Sequence, residues 1–142
     1  MPGTDPDRES WRAERAEAAA AHAQALERRR AKETEQARGL IAQFLAEARR
    51  RDLAPVPLRA RSPDGKRHYR TGLEGWYLRR NQTVGLATDG GFYLLTTPAG
   101  PSALLRGVRL EPSDPPMVLG AGARDGESID LAEALARVLE EH

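Results

Sequence analysis

The chain contains no cysteine. Disulfides, thiolate nucleophiles and cysteine-based zinc sites are therefore excluded. Aromatic residues fill only 5% of its 142 positions and hydrophobic residues 39%. The latter lies below the ~45–50% apolar share of globular domains, a share that includes glycine. Mean hydropathy is −0.63. No apolar run approaches the ~18–20 residues that cross a bilayer as a helix. The first residues, Met1-Pro2-Gly3-Thr4-Asp5-Pro6-Asp7, lack the cationic start and apolar stretch of a secretory signal. A cytoplasmic chain with no membrane partner is the expectation. Lysine is scarce, two residues against 20 arginines, while alanine occurs 23 times. A GC-rich genome produces such a bias, which weakens any functional weight placed on Arg over Lys, although the two differ chemically.

Formal charges nearly cancel, with 22 Lys+Arg against 21 Asp+Glu. That balance hides a segregation. Residues 1–54 carry net +1, residues 55–110 net +6 and residues 111–142 net −6. Segregated charge points to interaction surfaces, or to an acidic element packing beside a basic sheet. Pairing within the chain is the favoured expectation.

What the chain does have is a long stretch without proline, from about Trp11 to Asp52. Eight alanines fall between Ala13 and Ala25, and alanine is the best helix former. Residues 1–9, rich in Pro and charge, are expected to be disordered, with Ser10 or Asp7 as the helix N-cap. Residues 10–36 then form a projecting polar helix whose only large apolar side chains are Trp11 and Leu26. A stable coiled coil needs large apolar residues over several heptads, so this segment is only coiled-coil-like. From Ala37 the pattern changes. Leu40, Ile41, Phe44, Leu45 and Ala48 form one stripe meant for burial. Gly39 costs about 1 kcal/mol relative to alanine and marks a possible hinge.

Pro55 and Pro57 end the helix. Strand-like runs follow at Leu58–Arg61, Lys66–Arg70, Gly75–Arg80, Thr83–Ala87 and Phe92–Thr97, separated by Ser62-Pro63-Asp64-Gly65, Asn81-Gln82 and Thr88-Asp89-Gly90-Gly91. Short strands with short turns predict an antiparallel meander. Leu104–Leu110 and Met117–Leu119 are candidates for further strands. Asp130 and Glu133 resemble a capping box. They open a short helix with Leu131, Ala134, Leu135, Val138 and Leu139 on its apolar face. The expected fold is α+β: a long N-terminal helix, a small antiparallel β-meander of about four to six strands, and a short C-terminal helix packed on the sheet. Residues 37–142 form its single domain.

No catalytic, cofactor-binding or metal-binding set is visible. Gly120-Ala121-Gly122-Ala123-Arg124-Asp125-Gly126 departs from the dinucleotide fingerprint by one position, and carboxylates crowd the helix that follows. His22, His68 and His142 lie far apart, without metal-ligand spacing. Glu74 and Asp89, with Arg124, could support a small ligand sensor or enzyme, but nothing marks an environment that shifts a pKa.

Two constellations suggest partners instead. Trp11, Leu26, Arg28, Arg29 and Arg30 are candidate contacts for a protein partner or a second copy of the chain. Arg67, Tyr69, Arg70, Trp76, Tyr77, Arg79 and Arg80 combine rings and cations, a pattern that binds RNA or single-stranded DNA when exposed. Neighbours Trp76 and Tyr77 must point to opposite sheet faces, so at least one is expected in the core.

Trp76-Tyr77-Leu78 matches the tripeptide that names the WYL regulatory domain, but Asn81-Gln82-Thr83-Val84-Gly85 replaces the basic, aromatic run that should follow. Gly75–Arg80, Asp89–Tyr93, Glu111–Pro116 and Arg124–Ser128 resemble small actinobacterial proteins of unknown function over roughly residues 40–135. That resemblance implies a bacterial cytoplasmic setting and assigns no functional residue. A non-enzymatic protein-interaction or regulatory module is the leading expectation. RNA or ribosome association comes second and a ligand sensor or enzyme third.

Overall fold

The computed structural model describes residues 5–120 and 128–142. Helix α1 runs Pro6–Arg50, 45 residues, about 67 Å long. It starts earlier than the expected Ser10 or Asp7 cap. Asp5 is the N-cap, accepting the Asp7 N–H at 3.1 Å, and Pro6 occupies the first turn. Proline suits that position because its missing N–H would have no helical partner. The Pro-rich, charged lead expected to be disordered therefore supplies the first turn of the helix from Pro6 onward. Gly39 is helical and nothing lies within 4 Å of where a Cβ would stand; α1 continues through it. Arg51 is the C-cap, and Asp52 at φ 54 turns the chain out of the helix.

Four strands follow: β1 (Val56–Arg61), β2 (His68–Tyr77), β3 (Val84–Ala87) and β4 (Phe92–Leu94), antiparallel and in sequence order. The turn at Ser62–Gly65 forms as its residues predict. Gly65 N–H donates to Ser62 O at 2.9 Å, and Asp64 accepts both Ser62 Oγ and Lys66 N–H. The runs expected as separate strands at Lys66–Arg70 and Gly75–Arg80 join into the single ten-residue β2. Gly72, at φ 73, carries the strand through the irregular register opposite Pro57–Arg59. Gly75 admits β3 closely: a Cβ there would stand 1.9 Å from Leu86 O.

The sheet also curls upon itself. Arg61 N–H donates to Leu95 O at 2.7 Å, and Thr97 N–H donates to Arg61 O at 2.9 Å. The first strand thus meets the chain leaving the last in a short parallel bridge. On β4, Phe92 O accepts Ser113 N–H at 2.7 Å. Each outer strand of the four-stranded sheet is thus met at one point by the chain itself, β1 at Arg61 and β4 at Phe92.

Leu104–Leu110 is not a strand. It begins as the four-residue helix α2 (Ala103–Arg106), then turns at Gly107 and hydrogen-bonds to β2 through Val108 N–H and Arg70 O, 2.8 Å apart. A second, two-stranded sheet pairs β5 (Val118–Leu119) with β6 (Ile129–Asp130). Helix α3 (Leu131–Glu140) follows, with Asp130 at its N-cap position but without the side-chain hydrogen bond the capping pattern predicts. Leu131 N–H bonds Met117 O instead, at 2.8 Å.

The principal core lies between one sheet face and the two long helices. Ala37, Ile41, Phe44 and Ala48 of α1 and Leu131, Ala134, Leu135 and Val138 of α3 cover Trp76, Leu78, Val84, Leu86 and Phe92. Phe44 meets Trp76 edge-on, with ring centroids 5.2 Å apart, a geometry that ring quadrupoles favour. The opposite face is also covered. Tyr69 packs with Ala60 and Ala103, and Tyr93 with Leu95, Leu73, Tyr77 and Leu110.

Candidate interaction surfaces

The projecting part of α1 bears the first set of expected contacts. Trp11 is 55% exposed and Leu26 37%. Arg28, Arg29 and Arg30 are exposed beside Leu26. The Arg15 guanidinium lies 4.6 Å from the Trp11 ring centroid, a cation–π contact one helical turn apart. Contact with the rest of the domain begins at Glu33, whose carboxylate accepts Met117 N–H at 3.2 Å. Arg38 then pairs with Asp114 at 3.0 Å. The Ala37 stripe sits a turn beyond Glu33, so two polar contacts mark the junction that hydrophobic patterning alone places at 36/37.

The second set is divided by the fold. Tyr69 is 1% exposed and Trp76 6%. Tyr77, half-buried on the opposite face from Trp76, accepts Arg59 N–H at 2.9 Å through its hydroxyl. The Tyr69 hydroxyl donates to Ala99 O at 2.9 Å. These rings are packing elements, and they form no exposed platform for stacking bases. The cations divide as well. Arg67 and Arg70 stand at the start of β2, whereas Arg79 and Arg80 follow its end, roughly 30 Å along the strand. Arg80 pairs with Glu141 at 3.3 Å. The expected pairing of acidic C-terminal region with basic sheet region is realised at that contact, while Asp114 of the acidic region pairs with α1 instead. Alternation along strands signalled that one of Trp76 and Tyr77 would be core. The burial of Trp76 beneath the helices and the half-burial of Tyr77 beside Tyr93, Leu95 and Leu110 come from both faces of the sheet being covered.

Of the groups considered for chemistry, Glu74 and Asp89 come near each other across the β2–β3 pair, where Thr88 N–H donates to Glu74 O at 3.0 Å, and both are exposed. Glu74 lies opposite Pro57 on the β1–β2 pair. Asp89 caps its own turn, accepting Gly91 N–H at 2.8 Å. Arg124 and the glycine-rich stretch after Gly120 lie outside the described residues. Among the described residues, no group of three His, Asp or Glu side chains is placed to hold a metal ion. A cleft of about 390 Å³ opens beside the C-terminal end of α1, lined by Leu45, Ala48, Leu53, Pro55, Trp76 and Thr88. Trp76, which lines this cleft, keeps its buried Nε1–H without an acceptor among the described residues.

Shifted titrations have local structural causes. Arg50 and Arg51 hydrogen-bond to Glu47 and hold its carboxyl down at about 2. Asp64 is lowered by Ser62 and the Lys66 amide within its turn. Burial raises Tyr93, with Asp89 and Glu111 adding negative charge nearby. None of these groups faces a second titratable group across a closed cavity, the arrangement that acid–base chemistry exploits.

The fold and its surfaces define an α+β protein with a long projecting helix, and among the described residues no helix is long and apolar enough to cross a membrane. Comparison of the chain with family models, curated proteins and solved structures finds no match.

Proposed function

We propose that the chain is a non-enzymatic interaction module that presents the projecting part of α1 to a protein partner, a second copy of itself included, in a bacterial cytoplasmic setting. One observation carries this reading. From Pro6 to Lys32 every residue is exposed except half-buried Ala25. Among the described residues, no hydrogen bond or ion pair links this stretch to the rest of the domain. It extends about 40 Å and buries almost nothing of its own chain. A helix laid into a partner's groove would cover Trp11 and Leu26, with Arg28–Arg30 at the rim. Exposed aromatic and arginine side chains are the usual energetic anchors of such contacts.

A photo-crosslinking amino acid at Ala21 of the full chain, with a control at Thr88, tests this in cells. Adducts with a defined protein are expected at Ala21, and Trp11→Ala with Leu26→Ala should remove them. Light scattering reports whether that protein is a second copy. A monomer that crosslinks no more at Ala21 than at Thr88 rejects the proposal.

A further inference from the structure

A different end of the molecule combines exposed leucines with cations that make no ion pair among the described residues. Leu105 is 83% exposed and the adjacent Leu104 48%. Both sit on α2, and the loop around them is pinned. Ala103 is buried against Ala60 and Tyr69. The Arg70 guanidinium donates to Leu105 O at 2.5 Å. Gly107 adopts φ 77, with Arg70 O 2.7 Å from where a Cβ would stand. The leucines are therefore held outward by a braced turn. Among the described residues nothing covers them, and a contiguous exposed apolar patch rimmed by polar residues marks an interaction site.

The surroundings are basic. β1–β2 pairing sets Arg59 directly opposite Arg70, and like charges in that relation destabilise a sheet. Arg106 and Arg109 flank the turn, both exposed. Among the described residues, Arg59, Arg106 and Arg109 make no ion pair. The one carboxylate in the β1–β2 hairpin turn, Asp64, is engaged by Ser62 and the Lys66 amide.

We infer that this end docks on an anionic lipid bilayer. Leu104 and Leu105 would enter the boundary between headgroups and acyl chains, and Arg59, Arg70, Arg106 and Arg109 would face lipid phosphates. A nucleic acid would use the cations but leave the leucines in water, and the rings that might stack on its bases are buried. The absence of a spanning helix concerns crossing a bilayer and leaves a surface contact of this kind open. The inference rests on a surface separate from the projecting helix, so either can fail alone.

The test is co-sedimentation of the full chain with vesicles of phosphatidylcholine alone or mixed with phosphatidylglycerol. Binding to the mixed vesicles is expected to be at least about tenfold stronger. Removing one cation, by Arg106→Ala or Arg109→Ala, should weaken it about fivefold. Leu105→Ser should weaken it by a comparable factor. Because the protein has no cysteine, Leu105→Cys can carry an environment-sensitive dye at one place. Its emission should shift blue on mixed vesicles, whereas dye on Leu26→Cys should not respond. No sedimentation with anionic vesicles at low salt overturns the inference. So does a dye at position 105 that stays in water. Undiminished vesicle binding by Leu105→Ser, with equal retention on RNA or heparin, would assign the cations to a polyanion and overturn it too.

Discussion

Between Ala37 and Arg50, α1 buries a stripe of Ala37, Ile41, Phe44 and Ala48 against the sheet and α3. Between Pro6 and Lys32 the same helix keeps its shape while burying almost nothing. The docked part is held by removal of apolar surface from water, about 1.5–3 kcal/mol for each large side chain. The projecting part has no such term. It relies on alanine propensity and on being continuous with a helix whose costly first turn is already formed. Helical order can thus extend well beyond the core that nucleates it, and side chains on the extension can serve a partner without affecting the fold.

The largest effect expected separates the two parts by truncating one ring in each. Phe44 is 3% exposed and touches Trp76, so Phe44→Ala should destabilise the domain by about 3–5 kcal/mol. Trp11→Ala should stay within about 0.5 kcal/mol. Urea titration of each variant measures both. Equal losses would show that the projecting helix is packed on something and would break the contrast.

At the junction, Gly39 is helical with open space around it. Gly39→Ala should stabilise α1 by about 1 kcal/mol. Hydrogen exchange should show greater protection of amides on the N-terminal side of the substitution and little change at Phe44. Loss of stability would mean that Gly39 bends the helix for a reason the present packing lacks.

A smaller and more local effect is expected at the far end. Asp5→Ala removes the acceptor for Asp7 N–H and should fray the first turns by about 0.5–1 kcal/mol. The urea midpoint of the domain should not move. A shifted midpoint would make the two parts one cooperative unit and weaken the distinction drawn between them.

Several of the local signals in the sequence are followed by the structure. The stripe from Ala37 to Ala48 repeats at helical spacing, so the docked helix and its buried face were legible. The turns at Ser62–Gly65 and Thr88–Gly91 carry their own side-chain caps. Non-local hydrogen bonds were not legible. The bond from Arg61 to Leu95 O closes the sheet, and no pattern within either strand announces it. Leu104–Leu110 is an apolar run too short for periodicity to separate helix from strand. Composition misplaced the start of α1, because Pro6 reads as a breaker except at the first helical position. The aromatic–basic cluster was visible as a list of residues. Its division between two covered faces was not, and that division removed the base-stacking surface.

The smallest expected effect concerns how the docked part is tied off. Glu47 bonds Arg50 and Arg51, and Arg51 also donates to Leu139 O at 3.4 Å, joining the end of α1 to α3. Those arginines hold the Glu47 carboxyl at about 2 against an ordinary 4.5. A lowered carboxyl stabilises the folded form fully above pH 4.5, and that contribution is lost as pH falls from 4.5 toward 2. Both arginines and the carboxylate reach solvent, so salt screens the interaction and the change is modest. Thermal melts between pH 5 and 2 should therefore fall slightly less steeply for Glu47→Gln than for the native chain, and the difference should shrink in high salt. Superimposable acid limbs would show that the Glu47 pairs add nothing to holding the end of α1. The contrast between docked and projecting parts would then rest entirely on buried apolar surface.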